Sequence, residues 1–72
     1  MMPQMQTVSS SNVAELGYDS EGQDAYVRFL SGSLYKYKGV PQNEFDALLS
    51  APSIGAYLNR NFKNVYPYER IE

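Results

Sequence analysis

The side chains that most often do chemistry, those that carry a proton near neutral pH or hold a metal, are scarce in this sequence. It contains no cysteine and no histidine. Disulfides, thiolate metal sites and a cysteine nucleophile are thereby excluded. The commonest general base and commonest metal ligand is missing as well. An enzymatic reading would rest on Ser, Tyr, Asp and Arg alone, so a non-enzymatic module with no cofactor and no metal is expected. Asp19, Glu21 and Asp24 gather near a turn. They lack the alternating oxygen ligands and final bidentate glutamate of a calcium loop, and a solvated acidic turn is expected.

What remains is aromatic, basic and hydroxylic. Seven tyrosines in 72 residues are more than one small core readily hides, and tyrosine is enriched at interfaces. Tyr26, Arg28, Lys36 and Lys38 alternate along two neighbouring stretches. On one face of a hairpin they would form the basic and aromatic patch that single-strand RNA modules use. Tyr35 and Tyr37 alternate out of phase with that set; they can stack unpaired bases or fill a core, and the alternation favours the core. Ser9, Ser10, Tyr18, Asp19, Asn59, Arg60, Tyr66, Glu69 and Arg70 are scattered polar positions. They can converge on one pocket, with an arginine fork for phosphate or carboxylate. The expectation is instead a structural network that caps helix ends and clamps the C-terminal arm.

Positioning these residues takes a small α+β fold. Residues 13–18 alternate as a strand, with Ala14, Leu16 and Tyr18 on one face and Val13, Glu15 and Gly17 on the other. Residues 19–23 read as a turn, and residues 24–30 as the clearest strand. A loop of Leu30, Ser31 and a left-handed Gly32 pairs Phe29 with Ser33, Val27 with Tyr35 and Ala25 with Tyr37. The third strand runs out through Gly39 and Val40 into a helix begun by Pro41, with Phe45, Leu48 and Leu49 as its apolar stripe and Pro52 stopping it near Ala51. Ser53 is an N-cap for a second helix that buries Ile54, Tyr57, Leu58 and Phe62 and ends at Asn64. Residues 65–71 form an extended arm. The expected architecture is a three-stranded antiparallel sheet followed by two helices packed on one face, in β-β-β-α-α order with the C-terminal arm. Residues 1–8 are expected as a flexible N-terminal tail and 9–72 as a single domain.

A chain of this length buries only about 60% of the surface its unfolded form exposes, and one such core supplies about 3–5 kcal/mol. That leaves little for a strained polar active site and favours a binding module. The net charge of −2 and pI near 4.9 argue against an extended basic footprint, although not against a local patch. No secretory leader is legible in the first residues, and no segment approaches the roughly 20 apolar residues of a membrane span. A soluble cytoplasmic protein with no membrane partner is expected.

Taken in order, Ser9-Ser10, Gly17-Tyr18-Asp19, Val27-x-Phe29-x-x-Gly32, Tyr35-x-Tyr37, Val40-Pro41, Ser53-x-Gly55-x-Tyr57, Asn59 and Tyr66-Pro67-Tyr68-Glu69-Arg70 resemble the KTSC domain family. That family is named after the C-terminal domain of certain lysyl-tRNA synthetases, and the similarity spans residues 8–71. It implies a stand-alone bacterial or phage version of a short domain of unknown function, for which RNA binding is suggested. The alternative partner is another protein or a second copy of the chain, met through the tyrosine-rich surface or an exposed strand edge.

Overall fold

Two alternating stretches meet across a loop that ends in Gly32, and the register of the sheet follows from that loop. In a computed structural model that describes residues 2–72, Gly32 has φ +100°, a conformation that glycine adopts without steric cost. Its N–H donates to the Phe29 carbonyl, and the Phe29 N–H donates to the Ser33 carbonyl, both at 2.9 Å. Strand β3 (Asp24–Phe29) therefore pairs with β4 (Leu34–Tyr37), Val27 opposite Tyr35 and Ala25 opposite Tyr37, the pairing read from the sequence. Met1, the first residue of the expected tail, lies outside the described residues.

Among the described residues the antiparallel sheet has five strands, not three, in the order β1-β2-β3-β4-β5. Strand β2 (Val13–Asp19) flanks β3. Strand β1 (Gln6–Thr7) lies within the stretch expected to be a tail and pairs with β2; two residues are too few to show a period. The C-terminal arm supplies β5 (Tyr68–Arg70), with Tyr35 opposite Arg70 and Tyr37 opposite Tyr68. The reason is the outer edge of β4, whose amides would otherwise lack partners. Lys38 donates to the Pro67 carbonyl at 2.8 Å and Leu34 to that of Glu72 at 3.0 Å.

One face assignment also changes. A bulge between Val13 and Glu15 adds a residue to β2, so Val13 turns inward beside Leu16 and is 1% exposed. Strict alternation had placed it outward with Glu15; a bulge breaks that period.

Two helices cover the inner face. Gly39, at φ +73°, redirects the chain from β4 to Val40 and Pro41. Pro41 precedes α1 (Gln42–Leu49) as its cap and is not its first helical residue; its carbonyl accepts the Glu44 and Phe45 N–H groups at 3.0 and 3.1 Å. Helix α2 (Ile54–Asn61) opens with the Ser53 hydroxyl accepting the Ala56 N–H at 3.3 Å. Asn64, at φ +67°, turns the chain away afterwards. Val13, Leu16, Ala25 and Val27 from the sheet meet Phe45, Leu48, Ile54, Leu58 and Phe62 in one core. Phe62 is fully buried, with the rings of Tyr66, Tyr37 and Tyr57 at 5.2, 5.6 and 6.3 Å.

Candidate functional site

The hairpin register does bring Tyr26, Arg28, Lys36 and Lys38 to one face, but that face is not an open basic platform. Tyr26 is 6% exposed. It lies opposite Gly17, over which the N-terminal segment crosses: a Cβ there would collide with Met5 Sδ and stand 3.2 Å from the Gln4 carbonyl oxygen and Pro3 Cγ. Leu34, paired with Arg28, is fully buried on this same face. The cations are neutralised. Arg28 reaches Glu72 at 2.6 Å and Glu15 at 3.9 Å, while Lys36 and Lys38 share Glu69 at 3.9 and 3.6 Å. The Lys36 ammonium stands 6.0 Å from the centre of the Tyr26 ring, so its stem shelters that ring from water. A small second core lies where an exposed stacking surface was expected.

The concave surface is on the other side of the sheet, between the hairpin end and α2. A cleft of about 600 Å³ opens there, a size common for small-ligand sites, about 300–1,000 Å³. One wall is aromatic: Phe29, Tyr35, Tyr37 and Tyr68. Tyr35 meets Phe29 edge-on at 5.4 Å and Tyr68 at 5.4 Å, and Tyr68 also lies 5.8 Å from Tyr37. Tyr37 is nearly buried, whereas Tyr68 is 58% exposed. The facing wall is the Gly55, Ala56 and Asn59 side of α2, and the rim carries Asn12, Ser33, Lys63 and Asn64. Lys63 forms no ion pair with a carboxylate among the described residues, in contrast to the three cations of the outer face, and Arg70 Nε donates to the Glu72 main-chain oxygen at 3.2 Å. Arg70 shares the inner face next to Tyr35 and donates to Ser33 Oγ at 3.3 Å.

The scattered polar positions divide between two roles. Tyr35, Tyr37 and Asn59 line the cleft, and Ser10 prepares one edge of it by accepting the Asn12 and Val13 N–H groups, both at 3.2 Å. Most of the others brace the fold, and Ser9 and Arg60 do neither. Tyr18 donates to the Val40 carbonyl at 2.5 Å and stacks on Phe45 at 5.0 Å; Tyr66 packs against Phe62. Ser9 is exposed and its side chain bonds no described residue, while Asp19 Oδ1 accepts the Glu21 N–H at 3.1 Å to shape the acidic turn. Glu69 belongs to the outer-face ion pairs, and Arg60 lies exposed on α2.

Four tyrosines hold their hydroxyl protons more tightly than usual. Burial raises the pKa of Tyr18, helped by the charges of Asp46, Asp19 and Asp24. Burial likewise raises that of Tyr37, with Tyr35 and Tyr68 adding to it, and that of Tyr66, with Glu44 adding. For Tyr57 the chief cause is its hydrogen bond to the Glu44 carboxylate at 2.8 Å. No group of three carboxylates able to hold a metal occurs among the described residues. No helix among them is long and apolar enough to cross a membrane.

Asn12, Lys63, Asn64 and Tyr68 were not singled out from the sequence as members of a site. Only the helical period carried a signal, because Gly55 and Asn59 stand four apart on one face of α2.

Geometry defines the class: a small α+β domain, an antiparallel sheet clad by two helices on one face, with an aromatic cleft at their junction. The chain belongs to the KTSC domain family, whose sequence profile matches residues 9–66. It is 46% identical over 66 residues to an uncharacterised protein of Stutzerimonas stutzeri, covering 90% of this chain and 93% of that protein. A lysine–tRNA ligase of Trichormus variabilis is 36% identical over 61 residues, 85% of this chain but only 11% of the ligase. The crystal structure of a KTSC domain protein from Yersinia pestis superposes with TM-score 0.92 at 30% identity, covering 96% of this chain and 97% of that one.

Proposed function

We propose that this chain is a cytoplasmic, non-enzymatic module that binds single-stranded RNA, and that it does so in the cleft and not on the outer sheet face. The observation that carries this reading is convergence: Tyr35, Tyr37, Gly55 and Asn59, from two separate stretches of the chain, line one concavity. One cation, Lys63, lines it, and Arg70 is held at its edge by Ser33 and by the Glu72 main-chain oxygen. Rings available for base stacking, side-chain amides and a few cations are the components of single-strand recognition. The kinship with a segment of lysine–tRNA ligases, proteins named for tRNA, supports RNA over other polyanions. Family membership alone would not, since one fold serves many functions.

An amide-resolved NMR titration with a short single-stranded RNA, at low and at physiological salt, tests the reading. Shifts at Tyr35, Asn59, Lys63 and Tyr68, with Tyr26 and Lys36 silent, are the expected result. Shifts confined to Tyr26, Arg28, Lys36 and Lys38 would return the interface to the outer face. An unchanged spectrum at low salt would remove RNA and leave another protein or a second copy of the chain as partner.

A further inference from the structure

We propose that the cleft holds an unpaired nucleobase between its two walls and reads the base edge through the amides of Asn12 and Asn59, so that the base, more than the phosphate chain, is the ligand. This rests on the RNA reading above.

Shape is the first argument. The aromatic wall offers the partly exposed rings of Tyr35 and Tyr68, while the helical wall opposite is made of Gly55 and Ala56. The Asn12 amide lies directly against Gly55: a Cβ on that glycine would stand 3.4 Å from Asn12 Cγ and Nδ2. The cleft beside it runs between the Tyr35 and Tyr68 rings and the Ala56 and Asn59 side of α2, and a branched residue at position 55 would push the Asn12 amide out of its place.

The second argument is hydrogen bonding. Asn12 Oδ1 accepts the Ser11 hydroxyl at 2.9 Å, and its backbone N–H is held by Ser10 Oγ. Its Nδ2 hydrogens have no acceptor among the described residues, and the Asn59 side chain has no partner there at all. An asparagine amide presents a donor pair beside an acceptor, the complement of a nucleobase edge. Two such amides at the mouth of a slot lined by rings suit a base splayed out of its strand.

Charge supplies the third argument. The chain is acidic overall, the outer-face cations are occupied by carboxylates, and the cleft has Lys63 in its lining and Arg70 bonded to Ser33 at its edge. Two phosphate contacts at most give a log–log salt slope between about −0.7 and −1.4 for a single strand. Steeply salt-dependent backbone binding cannot be built from that pair.

The test uses the intact labelled protein, with the four uncharged nucleosides and with short single-stranded RNAs. Adenosine, cytidine, guanosine and uridine should each shift the side-chain amide signals of Asn12 and Asn59, with unequal affinities that are insensitive to salt. Asn59→Ala, a change at an exposed position, should narrow the differences among the four nucleosides. Tyr68→Ala should weaken all of them together, by about 5- to 150-fold for the loss of one stacked ring. Gly55→Val should abolish binding; its spectrum reports whether the fold persists, and Asn59→Ala decides the matter if it does not. RNA bound in the cleft with a slope much steeper than −1.4, and with the nucleosides silent, would overturn base recognition while leaving the RNA reading intact. Silence of both RNA and nucleosides would overturn both.

Discussion

Tyr18 shows how a tyrosine in this chain divides its work. Its ring stacks on Phe45 and its hydroxyl donates to the Val40 carbonyl, tying β2 to the turn that starts α1. Tyr18→Phe keeps the stacking and strands the carbonyl, so unfolding in urea should show a loss of about 1–3 kcal/mol. Phe62→Ala is more severe: the side chain is fully buried among three tyrosine rings. Such a truncation costs about 3–5 kcal/mol, comparable with the whole stability of about 3–5 kcal/mol expected from one small core. That variant should lack a cooperative unfolding transition by circular dichroism. The outer-face ion pairs weigh less. They are partly exposed, and such pairs contribute about 0–1 kcal/mol each.

At the scale of elements, the caps and edges separate what is rigid from what is added. Ser53→Ala removes the hydroxyl that accepts the Ala56 N–H and should lower the urea midpoint by the equivalent of about 1 kcal/mol. Gly17→Val would drive a side chain into the path of residues 3–5. Faster amide exchange at Gln6, Thr7 and Val8, with β3 and β4 unaffected, is the expected result. The hairpin, both helices, the Ser53 cap and the left-handed Gly32 were legible because each depends on local chemistry: a turn residue, a hydroxyl, a period. Strands β1 and β5 were not, because they exist to satisfy edges that another part of the chain creates. The Val13 bulge was hidden for a similar reason, since alternation carries no mark of an inserted residue. For the candidate site, Tyr26, Arg28, Lys36 and Lys38 were rightly placed on one face. Their carboxylate partners Glu15, Glu69 and Glu72, and the covering residues Pro3 and Met5, come from strands and segments distant in sequence. The cleft was legible only in part, through Tyr35, Tyr37 and Asn59; Asn12, Lys63 and Tyr68 reach it by tertiary folding.

Taken as a whole, the molecule keeps several phenols neutral, and its stability should follow pH accordingly. Tyr18, Tyr37, Tyr57 and Tyr66 all have folded-state pKa values raised above the ordinary 10.0. Their contribution is complete below the unfolded value and is lost as pH rises through the folded ones, because the unfolded chain gives up these protons first. Urea midpoints should therefore fall from pH 10 upward, and Tyr57→Phe, which removes the hydroxyl bonded to Glu44, should flatten that fall.

The connection into β5 has a consequence in time. Strands β1 to β4 each neighbour the next strand in the chain, but β5 reaches β4 only after both helices have intervened. Closing that longer loop has the larger entropic cost, so the hairpin can pair early while β5 must wait. Tyr68, which completes the aromatic wall, belongs to that last strand. During refolding, secondary structure should thus appear before that wall is complete, and under the base-binding proposal above nucleoside capture would mark the arrival of the final strand.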